Sequence, residues 1–173
     1  MAFRLWDLYE FPLLQSTTKH SWAIKTVTQR EATLIFAMQT DRKNVMSEDI
    51  SRFDDCKLIN AKLYLNSECY PYDDLNLDFD KNRCAILYDL YARFCKGYEY
   101  LEPSLTFMTF LCNAPFVIID CSRQNKSVKS GTVDMRLDFE YKENVPANIT
   151  AYCLIIHVCV QYNPLTNVVR KIT

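Results

Sequence analysis

Apolar and polar residues alternate strictly through residues 132–141, TVDMRLDFEY. The apolar members of this alternation are Val133, Met135, Leu137, Phe139 and Tyr141. A period of two over this length predicts a β-strand that buries one face and exposes the other to water. Such strands are typical of antiparallel sheets with one face packed on a core, so this stretch constrains the chain to a mainly β fold.

A polar segment connects this strand to an apolar run that precedes it. Residues 116–119, FVII, predict a short buried strand, and residues 122–131 are rich in Ser and Lys. We interpret residues 122–131 as a surface loop, in which Arg123, Lys126 and Lys129 are solvated rather than arranged to bind a phosphate.

Six further segments have the composition and spacing of strands. They are residues 2–10, 21–28, 32–39, 56–66, 150–162 and 164–173. Residues 2–10 carry large side chains on both faces, which places that strand near a sheet edge or an interface. Residues 32–39 form a nearly continuous apolar run, which predicts burial on both faces. The face of residues 56–66 expected to be buried comprises Ile59, Ala61, Leu63 and Leu65.

Helices are predicted between the fourth and fifth strands, after an extended or looped segment at residues 69–80. Over residues 81–96, apolar residues recur at spacings of three and four and would form one buried face. Asp80 is placed to cap the N-terminus of this helix, and Gly97 fits the position just after its last turn. A second, shorter helix is predicted over residues 103–112, with its proline in the first turn.

Together these elements predict one domain over residues 1–173, a mainly β fold of the antiparallel jelly-roll β-sandwich type with one or two inserted helices. About eight strands joined by long loops suit a jelly roll better than a short-looped barrel. An immunoglobulin-like sandwich and an open barrel are also compatible with the pattern. The immunoglobulin-like alternative is the weaker one, because both tryptophans precede every cysteine in the chain.

The charge balance and the hydropathy argue against two classes of partner. The chain has 20 basic and 21 acidic residues, interspersed along its length, and a net charge of −1. No basic stripe is present to follow a nucleic-acid backbone, so we expect no direct nucleic-acid binding. No apolar run reaches membrane-spanning length and the N-terminus lacks the pattern of a signal peptide, so we expect an intracellular protein that binds no membrane.

The sequence shows no spacing typical of a catalytic or metal site. Its eight cysteines are scattered through apolar runs without a CxxC pair, which indicates reduced, buried thiols rather than disulfides or zinc ligands. His20 lies in a polar segment and is expected to be solvated. His157 lies in an apolar strand near Cys159, on a face expected to be dry. We therefore predict no catalytic, cofactor-binding or metal-binding residue and no enzymatic activity.

Two groups of residues admit a functional interpretation beside a structural one. The first is an acidic cluster of Asp73, Asp74, Asp78 and Asp80. Its oxygens suit Ca²⁺, but the spacing does not match an EF-hand loop, and a solvated acidic loop is the better interpretation. The second is a group of tyrosines, Tyr70, Tyr72, Tyr98 and Tyr100. Tyrosines are favoured at protein interfaces, and loop packing accounts for this group equally well.

Four blocks of the sequence resemble a known family. They are FAMQTDRKN (36–44), FDDCKLINAKLYLNSECYPYDDLNLDF (53–79), ILYDLYARFCKGY (86–98) and APFVIIDCSRQNKSVKSGTVDMRLDFE (114–140). These blocks are similar to the double jelly-roll-like proteins of animal genomes, which in turn resemble the major capsid proteins of Polinton/Maverick-type transposable elements and of adenovirus-type viruses. Because the blocks span most of residues 1–160, the resemblance covers the whole predicted domain.

The resemblance implies a non-enzymatic, shell-forming structural protein. Its partners would be copies of itself, in a trimer-based homo-oligomer, and other capsid proteins, and its location would be the virion capsid if the gene is viral. The family has two jelly rolls in tandem, whereas this chain has the length of one and resembles the C-terminal one. It would therefore be either an isolated half or a standalone single roll.

A second function stays open on the residues alone. A carbohydrate- or ligand-binding jelly roll could use the loop aromatics and the acidic loop, with or without Ca²⁺. A cupin-type enzyme would instead need a His-rich metal cluster inside the barrel, and the two histidines of this chain are far apart in sequence.

Overall fold

The computed structural model describes residues 2–3, 6–11, 14–26, 33–40, 42, 45–65, 68–99, 101–121, 133–146, 148–156 and 160–171. Within these ranges the strands are β1 (Ala2–Phe3), β2 (Trp6–Phe11), β3 (Lys19–Thr26), β4 (Thr33–Thr40), β5 (Leu58–Leu65), β6 (Glu68–Tyr70), β7 (Val117–Asp120), β8 (Val133–Tyr141), β9 (Ile149–Ile156), β10 (Val160–Asn163) and β11 (Val168–Lys171). The helices are α1 (Ala85–Phe94) and α2 (Phe107–Asn113), and α1 continues into a π-helical turn, Cys95–Glu99.

Eight of these strands form two four-stranded antiparallel sheets, ordered β2–β9–β4–β7 and β3–β8–β5–β6. The pairs β2·β9, β3·β8, β4·β7 and β5·β6 are those of one long hairpin that turns back between β5 and β6. Successive pairs of that hairpin fall alternately in the two sheets, as they do when a long hairpin is rolled up. This is the jelly-roll arrangement of two facing sheets, and it confirms the predicted fold class.

Aromatic side chains join the two sheets across the core. Phe36 of β4 lies 4.8 Å from Phe139 of β8, measured between ring centroids, and Phe11 of β2 stacks on Trp22 of β3 at 5.3 Å. Phe36 and Phe139 are at most 2% exposed, and each such burial contributes about 1.5–3 kcal/mol to folding. The contacts fix the two sheets face to face.

The alternation that predicted β8 is confirmed along its described side chains. The buried members are Met135, Leu137, Phe139 and Tyr141. Asp134 and Arg136 between them are exposed. β8 pairs with β3 on one side and β5 on the other, so it is a central strand of its sheet.

A β-bulge in β5 changes the face that the sequence predicted. The register against β8 shifts between Leu58 and Asn60, so Leu58 rather than Ile59 turns to the core. Leu58 is 2% exposed, whereas Ile59 is half-buried. The expectation that Ile59 shares the buried face was therefore wrong, because an extra residue inverts the alternation at that point.

Burial of β4 on both faces is confirmed. On the side away from the core, the Gln39 amide donates hydrogen bonds to the backbone oxygens of Ile50 and Arg52, at 2.7 and 2.9 Å. The segment that follows β4 thus folds over this end of the strand and covers its outer face.

The inserted helices exist, but their ends differ from the prediction. Asp80 does not cap α1, because it lies in a turn closed by backbone hydrogen bonds between Asp78 and Arg83, and the helix begins only after Cys84, without a side-chain cap. The Asp80 carboxylate binds Lys142. Gly97 has no positive φ and lies inside the π-helical turn, so the chain does not end the helix there. Pro103 lies before α2, which is capped by the Thr106 hydroxyl accepting from the Thr109 amide at 3.3 Å.

Several predicted strands have different limits in the structure. Residues 2–10 divide into β1 and β2, and β1 pairs with β10 in a third, three-stranded sheet, β1–β10–β11. Within the predicted strand 150–162, β9 ends at Ile156, and residues 157–159 lie outside the described part of the chain. Residues 69–80 contribute a short strand, β6, so the helices lie between β6 and β7.

Candidate functional site

The first candidate surface is the outer face of the sheet β2–β9–β4–β7. One row of cross-strand neighbours on this face is apolar across all four strands. Leu8, Leu154, Ile35 and Ile118 are successive cross-strand neighbours on β2, β9, β4 and β7. Trp6 and Ile156 form the start of the next row. Along their strands, all six alternate with the residues that face the other sheet, such as Phe36 and its neighbours Cys153 and Val117. They therefore project from the outer side of the sheet.

Helices cover one half of this face. α1 packs against β7, and the Tyr91 ring of α1 meets Phe116 and stacks on Phe110 of α2 at 5.1 Å. Ile118, beneath this helical layer, is only 4% exposed. The helices therefore account for the β4–β7 half of the sheet.

The β2–β9 half is open. Trp6 is 65% exposed and Leu8 is 50% exposed, although both lie in a regular strand. We call Trp6, Leu8, Leu154 and Ile156 the apolar face. β2 is also the last strand of its sheet, so the prediction that this segment lies at a sheet edge is confirmed.

The second candidate surface is the outer face of the β3 sheet, which is polar. Lys19 of β3 pairs with Glu140 of β8 at 3.1 Å, and the Ser21 hydroxyl donates to the Asp138 carboxylate at 2.6 Å. Arg136 also binds Asp138 at 3.2 Å, and its guanidinium lies 4.6 Å from the centre of the Tyr64 ring. Charged and polar side chains of β3, β8 and β5 thus satisfy one another on a solvated sheet face, both across strands and along β8.

A groove of about 500 Å³ runs over this face. One wall is the segment after β6, which returns along β5: the Leu75 amide donates to Asn60 Oδ1 at 3.1 Å and the Leu77 amide to the Ile59 oxygen at 2.8 Å. This return brings Asp74 to the groove. Ile59 and Asn60, which lie at the bulge in β5, are therefore also the residues that hold this wall in place. We call this concavity the polar groove.

Asp74 is held by two partners in the polar groove. It accepts from Lys62 Nζ at 2.6 Å and from Asn60 Nδ2 at 2.9 Å. The hydrogen bond from Lys62, followed by that from Asn60, lowers the pKa of Asp74, and the same bond raises the pKa of Lys62. Both groups are therefore charged at neutral pH.

His20 is not solvated as expected. It lies in β3, where its ring stacks on Phe139 at 5.2 Å and meets the edge of Tyr141 at 5.7 Å. Its Nε2 is 3.2 Å from the Thr17 carbonyl oxygen. Burial lowers the pKa of His20, and the bond to Thr17 offsets part of that effect. The histidine is a half-buried packing residue at the border of the groove.

The acidic cluster does not converge on one point. Asp78 and Asp80 bind Lys142, at 3.3 and 2.7 Å, whereas Asp74 binds Lys62 in the groove. Asp73 is exposed. The bond with Lys142 lowers the pKa of Asp80. Within the described residues no group of three or more His, Cys, Asp or Glu side chains could hold a metal ion.

The tyrosine group is also dispersed. Tyr70 donates to Glu68 at 2.6 Å within β6, and Tyr72 is 86% exposed in the loop that follows. The side chain of Tyr98 and the whole of Tyr100 lie outside the described residues. The same holds for Arg123, Lys126 and Lys129, and for His157 with Cys159.

The described cysteines are free thiols in mostly apolar surroundings. Cys84, Cys95, Cys121 and Cys153 are buried, and Cys112 is exposed. Burial raises the pKa of Cys121 and of Cys153 to about 12. These two thiols therefore stay protonated at neutral pH and are poor nucleophiles.

The comparison with protein-family models decides the family. The model of the double jelly roll-like domain matches residues 1–161, which includes both four-stranded sheets and the inserted helices. The chain belongs to the double jelly roll-like domain family. This agrees with the resemblance carried by the four sequence blocks and with the strand order of the structure.

The two other comparisons with known proteins, one with curated proteins and one with solved structures, gave no match to this double jelly roll-like domain. In the part of the chain that the structure describes, neither helix has the length and apolar character needed to cross a membrane.

Sequence reasoning missed most of the polar groove. Of its residues, Asp74 was singled out, as part of an acidic loop rather than as a partner of Lys62. The sequence signal that could have indicated the groove is the pair Asn60 and Lys62, two polar residues on the same face of an amphipathic strand. Their outward direction follows from the alternation, but the return of Asp74 onto β5 has no local signature.

Proposed function

We propose that this double jelly roll-like domain is a non-enzymatic structural protein, a capsid-type building block that assembles with copies of itself. The family membership supports the class of function. The apolar face carries the proposal, because an edge strand of the sandwich presents Trp6 and Leu8 to solvent beside Leu154 and Ile156. Exposed apolar patches of this kind mark protein–protein contacts.

The side chains of the apolar face suit an interface in size and chemistry. Tryptophan is enriched among the residues that dominate binding energy, and full burial of a large apolar side chain contributes about 1.5–3 kcal/mol. A stable interface needs about 800 Å² from each partner. The four residues would form its apolar centre, with Glu10, the next residue on the same face of β2, at its rim.

The proposal also covers the oligomeric state of the protein and its place in the cell. Closed symmetry limits the size of an assembly, and a trimer-based oligomer that packs further into a shell fits the family. Other capsid proteins would be additional partners. The protein would act inside the cell and, if the gene is viral, in the virion capsid.

Multi-angle light scattering coupled to size exclusion tests the proposal, with electron microscopy of the concentrated protein. We expect oligomers or particles for the wild type and a shift to monomer for the double variant Trp6→Gln, Leu8→Ser. The matched control is Met46→Gln, which removes a fully exposed apolar side chain near the opposite end of β4. Monomeric wild type at high concentration would contradict the proposal, as would an equal effect of the control.

A further inference from the structure

We propose that the polar groove binds a neutral carbohydrate. This goes beyond the structural role above, since it concerns the opposite sheet of the sandwich and needs no assembly. The open groove has a volume of about 500 Å³ over β3, β8 and β5, which is room for one or two sugar rings. Its lining combines carboxylates, ammonium groups, an amide and a hydroxyl within a single concavity.

Donors and acceptors lie side by side in this groove. The Asp74 carboxylate is 2.6 Å from Lys62 Nζ and 2.9 Å from Asn60 Nδ2, and the Glu140 carboxylate is 3.1 Å from Lys19 Nζ. A sugar hydroxyl both donates and accepts, so two adjacent hydroxyls can bond to a carboxylate and to its ammonium or amide neighbour at once. The pairs thus match the chemistry of a vicinal diol.

The charges of the groove favour a neutral ligand. Lys19, Lys62 and Arg136 are paired with Glu140, Asp74 and Asp138, respectively. An anionic ligand would have to compete with these carboxylates for the cations, and a cationic ligand would have to compete with the cations for the carboxylates. A polyhydroxylated neutral molecule can join each pair without separating it.

Strand geometry holds the groove in shape before a ligand arrives. Asn60, Lys62 and Tyr64 project from one face of β5, and the Tyr64 ring is held under the Arg136 guanidinium. Asn60 also fixes the wall, because its Oδ1 accepts from the Leu75 amide while its Nδ2 donates to Asp74. Groups held in this way lose little conformational freedom on binding. Because the groove is open to solvent, we expect a Kd of about 1 mM or slightly tighter for a single sugar unit.

NMR titration of ¹⁵N-labelled protein with neutral, sulfated and sialylated oligosaccharides tests the proposal, each added to concentrations above the expected Kd. This measurement detects binding in the millimolar range. We expect neutral glycans to bind and to shift the amide signals of β5, β8 and residues 72–77. Binding confined to sulfated or sialylated glycans would overturn the proposal, as would the absence of any hit.

Variants connect the binding to the groove. Asp74→Asn keeps the shape of the side chain but removes its charge, and Lys62→Met removes the donor; we expect each to raise the Kd at least tenfold. The control Glu143→Gln breaks a comparable exposed ion pair, with Lys57 at 2.7 Å, outside the groove. Unchanged affinity in both groove variants would refute the site. Because Trp6→Gln with Leu8→Ser should leave sugar binding intact, this test is independent of assembly.

Discussion

At the scale of single residues, His20 shows how a neighbour on the next strand determines the environment of a side chain. The sequence places the histidine among Thr, Lys and Ser, which predicts a solvated ring. In the sheet it lies opposite Phe139, in direct register, and its ring stacks on that phenylalanine. The residue 119 positions away in sequence, not the local polar context, sets its exposure and its pKa.

This environment predicts a dependence of stability on pH. The folded-state pKa of His20 lies below its ordinary value of 6.5 because burial disfavours the charged ring. The unfolded chain therefore binds the proton more readily, so the contribution of the neutral ring is complete above pH 6.5 and is lost as the pH falls through the folded pKa. Comparing His20→Gln with the wild type isolates this term from the carboxylates.

The measurement is urea unfolding of both proteins at pH 7.5 and pH 5.5. We expect the wild type to lose more free energy of unfolding than His20→Gln between these two values. The difference should be well below the 1.36 kcal/mol that a full pKa unit represents, since the ring is partly solvated. Equal losses in the two proteins would show that His20 has the same pKa folded and unfolded.

At the scale of elements, the existence of helices and strands follows from periodicity, whereas their ends follow from distant partners. The apolar spacing of α1 is confirmed, since Leu87, Tyr91 and Cys95 are buried. Asp80 has the sequence position of a cap, yet Asp78 pairs with Arg83 across a turn that contains Asp80, and the helix begins only at Ala85. Likewise, the bulge in β5 cannot be deduced from an alternation that looks uninterrupted on the page.

The cap of α2 gives a prediction at this scale. The Thr106 hydroxyl accepts from the Thr109 amide, which would otherwise lack a partner at the start of the helix. We expect Thr106→Ala to lower the free energy of unfolding by about 1 kcal/mol, as measured by chemical denaturation. Thr106→Ser retains the hydroxyl and should keep most of that stability, so equal losses in the two variants would argue against a capping role.

At the scale of the whole molecule, the architecture was predictable and the sites were not. The alternation in residues 132–141 and the double burial of residues 32–39 indicate facing sheets, and the large side chains of residues 2–10 indicate an edge or an interface. The strand order depends on contacts between distant segments, such as β2 with β9, that no local pattern encodes. The polar groove and the apolar face both arise from that order.

Outer faces of opposite character follow from this arrangement. One sheet presents Trp6 and Leu8 on an apolar face, and the other presents paired charges around a groove. On our account the apolar face is buried between copies of the protein, and the polar face stays in contact with water. Assembly should therefore leave the ion pairs of the β3 sheet untouched.

Iodide quenching of tryptophan fluorescence, measured across a range of protein concentrations, tests assembly through the apolar face most directly. The chain has two tryptophans: Trp22 is buried in the core at 9% exposure, and Trp6 is 65% exposed, so Trp6 dominates the quenching. We predict that quenching falls as the mass determined by light scattering rises. Oligomers in which Trp6 is quenched as readily as in the monomer would contradict the account.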